Sequence, residues 1–361
     1  MFRHMKFLYK LAPLMISYTK KRKDGDILNI QKKVALTGIK PTGELHLGNY
    51  IGAIKPAIEL SKAPQFSSIY FIADYHALTA LKNGPKMKEY IYKSAATWLA
   101  LGLDPEQVIF YKQSDIPEIF ELSWILSCHT SKGLLNRAHA YKSIRDKNIE
   151  AGIDPDTDIN MGLYTYPILM TADILLFHSN VIPVGKDQIQ HVEIARDIAQ
   201  SFNSLYGETF TIPEYQIADQ SSVLIGVDGR KMSKSYNNTL PIFSDSKTLK
   251  NIIFKIKTNS LPPEAPKDPD DSILFSLYKE FSDESQVHKM RERFYKGIAW
   301  GDVKKELLAT IEDYFRDSRN KYFEYLNDTA YLDSILKTGA QKAREIASKS
   351  LKDIKNKIGT V

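Results

Sequence analysis

Residues 36–49 read Leu-Thr-Gly-Ile-Lys-Pro-Thr-Gly-Glu-Leu-His-Leu-Gly-Asn, and this stretch decides the fold class. It lies between a predicted strand and a helix that is predicted to begin at Asn49. Its glycines, Gly38, Gly43 and Gly48, let the backbone pass close to a bulky ligand. A helix N-terminus offers free N–H groups and a partial positive charge to phosphate. The stretch therefore predicts a nucleotide-binding turn in an α/β protein.

This turn differs from two common nucleotide motifs. It is neither GxxxxGK[ST] nor a clean GxGxxG, which disfavours Walker-type hydrolysis and hydride transfer. His46 is expected to donate a hydrogen bond to phosphate. On its own, the turn fits a glycine-rich surface loop with a histidine better than it fits a nucleotide site, so a second motif has to support it.

Short apolar runs alternate with longer amphipathic segments around the turn, which predicts strands separated by helices. The fold class is α/β, a Rossmann-like doubly wound parallel sheet with a mainly helical C-terminal domain. The predicted strands are Val34–Thr37, Ser68–Ala73, Val108–Lys112 and Val181–Val184. The predicted helices are Asn49–Leu60, Lys86–Leu101, Pro117–Thr130, Gly133–Asn148 and Asp187–Leu205, where the alternation ends, and Leu163–Phe177 is a long apolar stretch.

The composition changes in the last third of the chain. Leu261–Asp271 is a Pro/Asp-rich linker, and three long helices are predicted after it, Leu277–Tyr295, Asp302–Tyr325 and Asp333–Ile358. We expect a domain over residues 32–235 with a helical connective insertion near 114–160, and a helical region over 236–361. The last helix is expected to pack back on the first domain.

The bulk composition is that of a soluble enzyme, with 43% hydrophobic and 25% charged residues. No apolar run approaches the ~18 residues that span a bilayer. The single cysteine, Cys128, cannot form an intrachain disulfide, which indicates a reducing compartment. We expect no membrane association and a location in the cytoplasm.

The net charge of +6 is concentrated at the start of the chain. Residues 1–33 hold nine Lys/Arg and two Asp, so the remainder is close to neutral and bulk charge does not predict a nucleic-acid surface. Residues 1–31 are expected to be a disordered basic leader, or sequence upstream of a start at Met5 or Met15. An organellar transit peptide is the alternative, although this segment is rich in lysine rather than arginine.

A second motif, Lys231-Met-Ser-Lys-Ser235, lies in a loop after Gly226–Gly229. Two lysines three positions apart, with a small hydroxyl residue between them, suit a mobile clamp for polyphosphate. Together with the His46 turn, this string resembles the paired HIGH and KMSKS signatures of class I aminoacyl-tRNA synthetases, the first in the form HLGN.

A third pattern narrows the resemblance. Residues 161–177, Met-Gly-Leu-Tyr-Thr-Tyr-Pro-Ile-Leu-Met-Thr-Ala-Asp-Ile-Leu-Leu-Phe, and residues 181–191, Val-Ile-Pro-Val-Gly-Lys-Asp-Gln-Ile-Gln-His, resemble the amino-acid pocket and adenosine-binding turn of bacterial-type tryptophanyl-tRNA synthetases. The similarity runs from about residue 33 to the C-terminus and is thinner in the last hundred residues. It implies ATP with Mg²⁺, L-tryptophan and the tRNA for tryptophan as substrates, a homodimer, and an anticodon-binding region over 236–361.

The resemblance also implies roles for individual residues. Asp173 lies in an otherwise apolar helix, where a carboxylate needs a partner; by resemblance it accepts the indole N–H, and the plain alternative is a buried acid paired with an arginine or backbone group. Tyr166 and Met170 share a helix face and, with His76, would line the same pocket. The implied ATP contacts are Lys40, Pro41, Thr42, His46, Gly48, Asn49, Gly185, Lys186, Asp187, Gln188, Val223, Lys231, Met232, Ser233, Lys234 and Ser235.

The expected chemistry needs no general base, because the amino acid carboxylate is already the nucleophile. His46, Lys231 and Lys234 would neutralise charge as pyrophosphate leaves. One residue departs from the pattern: Lys40 stands where glutamine is typical, so the glutamine's role does not transfer to it. His191 is expected to be structural.

Three other functions remain open at this stage. Tyrosyl-tRNA synthetases share the architecture and also use acidic groups in the pocket. A nucleotidylyltransferase of the same superfamily needs both phosphate loops but no helical C-terminal third. A catalytically silent, RNA-binding paralogue is disfavoured by the intact His46 and the intact Lys231–Ser235 string.

Overall fold

A parallel five-stranded sheet forms the centre of the protein, in the order β3-β2-β1-β4-β5. The computed structural model describes residues 32–217 and 224–361, so the predicted leader over 1–31 lies outside the described residues. The strands are β1 (Lys33–Ile39), β2 (Phe66–Ile72), β3 (Val108–Lys112), β4 (Val181–Val184) and β5 (Glu214–Ile217). The predicted α/β class with a doubly wound parallel sheet is confirmed.

The strand order places a topological switch point between β1 and β4. The chain runs outward from β1 to β2 and β3, and then returns to the other side of β1, where Ala35 pairs with Val181. In sheets of this kind, ligands bind beyond the carboxyl ends of the strands at the point where the order reverses. The site is therefore expected at the ends of β1 and β4 and their neighbours.

Both faces of the sheet are buried, as parallel sheets require. Side chains along β2 alternate between two hydrophobic clusters: Tyr70 and Ile72 face one, and Ile69 and Phe71 face the other. The first cluster extends into the C-terminal helices, and the second extends into the helices that surround Asp173.

Fourteen labelled helices surround the sheet in the described parts of the chain, and a helical segment over 47–54, α-helical at Leu47–Asn49 and π-helical at Tyr50–Ile54, precedes the first of them. They are α1 (Lys55–Ser61), α2 (Asp74–Ala77), α3 (Gly84–Ala100), α4 (Pro117–His129), α5 (Lys132–Leu135), α6 (His139–Glu150), α7 (Met161–Leu176), α8 (Ile189–Tyr206), α9 (Ser246–Phe254), α10 (Ile273–Phe281), α11 (Glu284–Lys296), α12 (Trp300–Tyr314), α13 (Arg316–Asn327) and α14 (Thr329–Ile358). Helices α4 to α6 lie in the region of the predicted connective insertion.

The long final helix, α14, packs against β3. A Cβ added at Gly339 would lie 1.8 Å from the carbonyl oxygen of Phe110, so only glycine permits this approach of helix to strand. The same helix is tied to α4 by polar contacts, because the Arg344 guanidinium and the Ser348 hydroxyl both donate to the Glu118 carboxylate. The helix thereby covers the outer edge of the sheet.

Several element predictions were wrong in ways that have local causes. Strand β5 was missed because it is a short edge strand with an exposed pattern and no continuous apolar run. The predicted helix Leu277–Tyr295 is two helices, because Asp283 and Gln286 form a capping box that starts α11. Gly133–Asn148 and Asp302–Tyr325 are likewise each divided in two. In the parts of the chain that the structure describes, no helix is long and apolar enough to cross a membrane.

Candidate active site

The predicted site residues, together with Gln113, which was not predicted, gather at the carboxyl ends of four neighbouring strands. The His46 turn follows β1, His76 follows β2 in α2, and Gln113 follows β3. Residues 185–188 follow β4, and α7 supplies Asp173 from one face of the sheet. The switch point and the candidate site therefore coincide.

His46 starts the helical segment through a reciprocal cap. Its Nδ1 accepts a hydrogen bond from the Asn49 N–H at 3.3 Å, and Asn49 Oδ1 accepts from the His46 N–H at 3.1 Å. Burial, and then the positive charge of Lys234, lower the pKa of His46 to about 4. His46 is therefore neutral at pH 7, and because Nδ1 is an acceptor, its hydrogen lies on Nε2, where it can be donated.

The His46 turn and the Lys231–Ser235 loop contact each other. The Gly48 N–H donates to the Met232 sulfur at 3.3 Å, and the backbone of Leu45 and Leu47 is hydrogen-bonded to that of Ile242 and Leu240. At Gly43, whose φ is +133°, an added Cβ would lie 3.4 Å from Lys234 Nζ. The His46 turn and the Lys231–Ser235 loop, which are far apart in the sequence, thus form one surface.

Lys234, in the Lys231–Ser235 loop, reaches across to Gly43 in the His46 turn. The residue as a whole is exposed, yet the surrounding loops desolvate its ammonium group in part and lower its pKa from the ordinary value. A partly desolvated cation held next to a neutral imidazole is suited to an incoming polyphosphate.

A buried asparagine outside the motif shapes the Lys231–Ser235 loop. Asn238 is 1% exposed; its Oδ1 accepts from the Ser233 N–H at 2.8 Å, and its Nδ2 donates to Asp228 and to the Lys231 carbonyl. Gly226 packs so closely that an added Cβ would lie 2.4 Å from Asn238 Nδ2. Sequence reasoning missed both roles, since nothing local in the sequence signals them.

Asp173 is fully buried and is hydrogen-bonded to two side chains, those of His76 and Gln113. His76 Nε2 lies 2.9 Å from Oδ2, and Gln113 Nε2 donates to both carboxylate oxygens at 2.9 Å. Burial raises the pKa of Asp173, and the hydrogen bonds from His76 and Gln113 counteract part of that rise. The alternative considered from the sequence was a buried acid paired with an arginine or a backbone group. The structure instead pairs Asp173 with the side chains of His76 and Gln113.

Gln113 is itself fixed, and sequence reasoning did not single it out. Its Oε1 accepts from the His76 N–H at 3.3 Å, so the amide orientation is set and Nε2 points at Asp173. The next residue, Ser114, donates to the buried Asp74 carboxylate, whose pKa burial raises. The one available signal was position, because Gln113 directly follows the end of β3.

Tyr166 and Met170 lie four residues apart on α7, and Asp173 lies three residues further on. Tyr166 is buried, its hydroxyl is hydrogen-bonded to His191 Nε2, and Lys40 Nζ lies 5.1 Å from its ring centroid. Burial first, and then the charge of Lys40, lower the pKa of His191 to about 4, so this histidine is neutral at pH 7. Lys40 therefore lies over Tyr166, a residue predicted for the amino-acid pocket.

Comparison with known proteins agrees with this geometry. Residues 30–316 match the model of the class I tRNA synthetases for W and Y. The tryptophan–tRNA ligase of Pseudomonas aeruginosa is 50% identical over 327 residues, which cover 90% of this chain and 73% of that protein. The ligase of Neisseria meningitidis is 48% identical and covers 91% and 98% of the two chains.

The chain belongs to the class I tryptophan–tRNA ligase family.

A solved structure of this family resembles the chain closely. The tryptophanyl-tRNA synthetase of Campylobacter jejuni, complexed with ADP and tryptophan, has a TM-score of 0.84 and 46% identity, and the alignment covers 90% of this chain and 99% of that one. A tyrosyl-tRNA synthetase of Archaeoglobus fulgidus, at 19% identity and a TM-score of 0.58, shares the fold. The predicted resemblance to tryptophanyl-tRNA synthetases is confirmed.

Of the other residues predicted from the family resemblance, the structure gives the burial of most, and two lie wholly or partly outside the described residues. Pro41 is buried, whereas Thr42, Gly185, Lys186, Lys231 and Ser235 are exposed. Gln188 N–H closes a 3-10 turn on the Gly185 carbonyl. The side chain of Asp187 and the whole of Val223 lie outside the described residues. The roles of all these residues stay predictions.

Proposed function

We propose that the chain activates L-tryptophan with ATP and transfers it to the tRNA for tryptophan. A carboxylate oxygen of tryptophan attacks the α-phosphorus, the bond to the bridging oxygen of the β-phosphate breaks, and pyrophosphate leaves. The 2′-hydroxyl of the terminal adenosine then attacks the carbonyl carbon, and AMP leaves. The observation that carries the proposal is the fully buried Asp173, held by His76 and Gln113 at the end of the sheet.

Asp173 is the acceptor for the indole N–H. An ionised carboxylate has about four lone-pair positions, and His76 and Gln113 use three hydrogen bonds between them. One position therefore remains for a further donor. A buried carboxylate left short of donors costs free energy, so a substrate that supplies an N–H at this place is selected over one that does not.

His76 contributes a second polar contact to the same pocket. Its Nε2 carries the hydrogen that is donated to Asp173, which leaves the Nδ1 lone pair unshared. That atom is buried and has no hydrogen-bond partner in the part of the chain that the structure describes. It suits the ammonium group of an amino acid.

The phosphate side of the reaction is served by charge rather than by acid–base catalysis. Neutral His46 donates from Nε2, while Lys231 and Lys234 stabilise the negative charge that develops on pyrophosphate. Mg²⁺ is part of the substrate as Mg–ATP. Within residues 32–217 and 224–361, the structure has no group of three or more His, Cys, Asp or Glu side chains placed to hold a metal ion.

The region after the Lys231–Ser235 loop supplies tRNA recognition. Residues 236–361 are helical in their described elements, and we assign the anticodon to this region and the chemistry to residues 32–235. A homodimer is supported by Trp124 on α4, which is 72% exposed, beside the packed rings of Tyr75 and Phe120. A ligase that supplies translation acts where tRNA is used, which we take to be the cytoplasm.

Amino-acid-dependent ATP–pyrophosphate exchange tests the proposed function. With the full chain and each of the twenty amino acids, tryptophan alone should support exchange, and the purified tRNA for tryptophan should then be charged. Exchange with tyrosine only would assign the chain to the other branch of its family. No exchange with any amino acid would mean that the chain is a silent paralogue.

A further inference from the structure

A cavity of about 590 Å³ opens beside the candidate active site, and the proposed chemistry does not use it. Its apolar wall is formed by Leu78 and Leu81, from the loop after α2, and by Met87 and Ile91, from the first turns of α3. Ligand pockets in proteins commonly have volumes of about 300 to 1,000 Å³. We call it the α3 cavity.

The α3 cavity and the amino-acid pocket share backbone. The loop that begins at Leu78 leaves α2 two residues after His76, and the Thr79 hydroxyl donates to the His76 carbonyl at 2.8 Å. On the other side, Lys112 lines the cavity and is followed by Gln113, which holds Asp173. A molecule in the cavity would therefore lie next to the amino-acid pocket that the proposed function assigns to Asp173.

The rim of the cavity is positively charged. Lys82 and Lys88 line it, as does Lys112, which is paired with Asp115 at 3.0 Å. Lys88 is exposed and forms no ion pair with any residue that the structure describes. The lining acid, Asp333, accepts hydrogen bonds from the Tyr92 hydroxyl, so its charge is partly compensated.

We propose that the α3 cavity binds an unstacked nucleotide of the tRNA acceptor end. The base lies between the apolar side chains, and phosphates of the same strand face Lys82 and Lys88. Sequence-specific RNA binding commonly takes splayed bases into pockets of this kind, and lysines supply the salt-dependent part of the affinity. The inference rests on the proposed function, because it assumes that tRNA is a substrate.

Lys88 offers the sharpest test, since replacing it breaks no ion pair or side-chain hydrogen bond within the described residues. Lys88→Glu is compared with Lys352→Glu, an exposed lysine of α14 that lies 19 residues, or about 28 Å along the helix axis, beyond the cavity residue Asp333. With the full chain and purified tRNA, Lys88→Glu should lower kcat/KM for tRNA by roughly tenfold or more. The slope of log affinity against log salt concentration should fall by about the amount of one phosphate contact. Tryptophan-dependent exchange should stay within about twofold of the unmodified chain.

Met87→Trp fills the cavity without changing its charge and should also lower kcat/KM for tRNA while sparing exchange. The inference is overturned if Lys88→Glu charges tRNA as Lys352→Glu does, as expected of a site for a free mononucleotide. It is also overturned if exchange falls as far as charging does. Failure of the proposed function is distinguishable, because the unmodified chain would then show no tryptophan-dependent exchange.

Discussion

Gln113 Nε2 lies 2.9 Å from each carboxylate oxygen of Asp173, so one amide donor spans both acceptors of a fully buried acid. Burial alone raises the pKa of Asp173, and this contact is one of those that favour the charged form. The affinity of the pocket for an N–H donor therefore depends on a residue that need not touch the substrate.

Replacing Gln113 by Met removes the donor and keeps a side chain of similar length. We expect KM for tryptophan in the exchange reaction to rise by roughly tenfold, the cost of a hydrogen bond to a charged group, with a smaller effect on kcat. The pKa of Asp173 should rise further, so the defect should grow as the pH is lowered and the carboxylate takes up a proton.

The matched control is Gln107→Met, an exposed glutamine just before β3. It should leave both KM and its pH profile unchanged. If Gln113→Met gives a KM defect of equal size at high and low pH, the residue acts only through packing.

Lys234→Ala tests the proposal that the Lys231–Ser235 loop stabilises the negative charge on the leaving pyrophosphate. In the proposed function Lys234 acts on the leaving pyrophosphate, so the exchange rate should fall by about 10² to 10³, as for other single groups that stabilise transition-state charge, while tryptophan affinity stays unchanged. Lys247→Ala, at an exposed lysine of α9, serves as control. Weakened tryptophan binding with an unaltered exchange rate would contradict this role, because it would place Lys234 at the amino-acid pocket and not at the phosphates.

His191 makes stability depend on pH. Its pKa is lowered to about 4, whereas a histidine in the unfolded chain has a pKa of about 6.5. The unfolded chain therefore binds the proton more readily, and this contribution to stability is present above about pH 6.5 and is lost as the pH falls towards 4.

Urea unfolding at pH 7 and pH 4.5 measures that loss. Both proteins should lose unfolding free energy between pH 7 and pH 4.5. The loss should be smaller in His191→Gln than in the unmodified chain, by about 2 to 3 kcal/mol. His288→Gln, at an exposed histidine, should behave like the unmodified chain. Equal losses of unfolding free energy in all three proteins would show that protonation of His191 does not destabilise the folded state.

The parts of the site that sequence predicted are those with a local signal. Asp173 stood out as a lone carboxylate in an apolar helix, and the fully buried acid is what the structure shows. The His46 turn and the Lys231–Ser235 loop were recognised because each is a short, distinctive sequence motif. Gln113 carried no such signal, because a polar residue after a strand is common, and its importance comes from contacts with α2 and α7.

The same distinction holds for the fold. Strands β3 and β4 were predicted with the bounds observed, because both are continuous apolar runs. Strand β5 was missed because its residues are largely exposed and its partner, β4, lies some thirty residues upstream. The shaping of the phosphate loop by Asn238 and Gly226 was likewise invisible, since it depends on a contact between side chain and backbone across a turn.

The direct test of the central claim compares tryptophan with its benzothienyl analogue, which has sulfur in place of the indole N–H. Calorimetric Kd values are measured for the unmodified chain and for Asp173→Ala, with ATP binding as a check on folding. We predict that the unmodified chain prefers tryptophan by about 10² or more, since a buried acceptor loses its donor with the analogue, and that Asp173→Ala shows almost no preference. Equal binding of the two ligands by the unmodified chain, or a preference that survives in Asp173→Ala, would contradict the account.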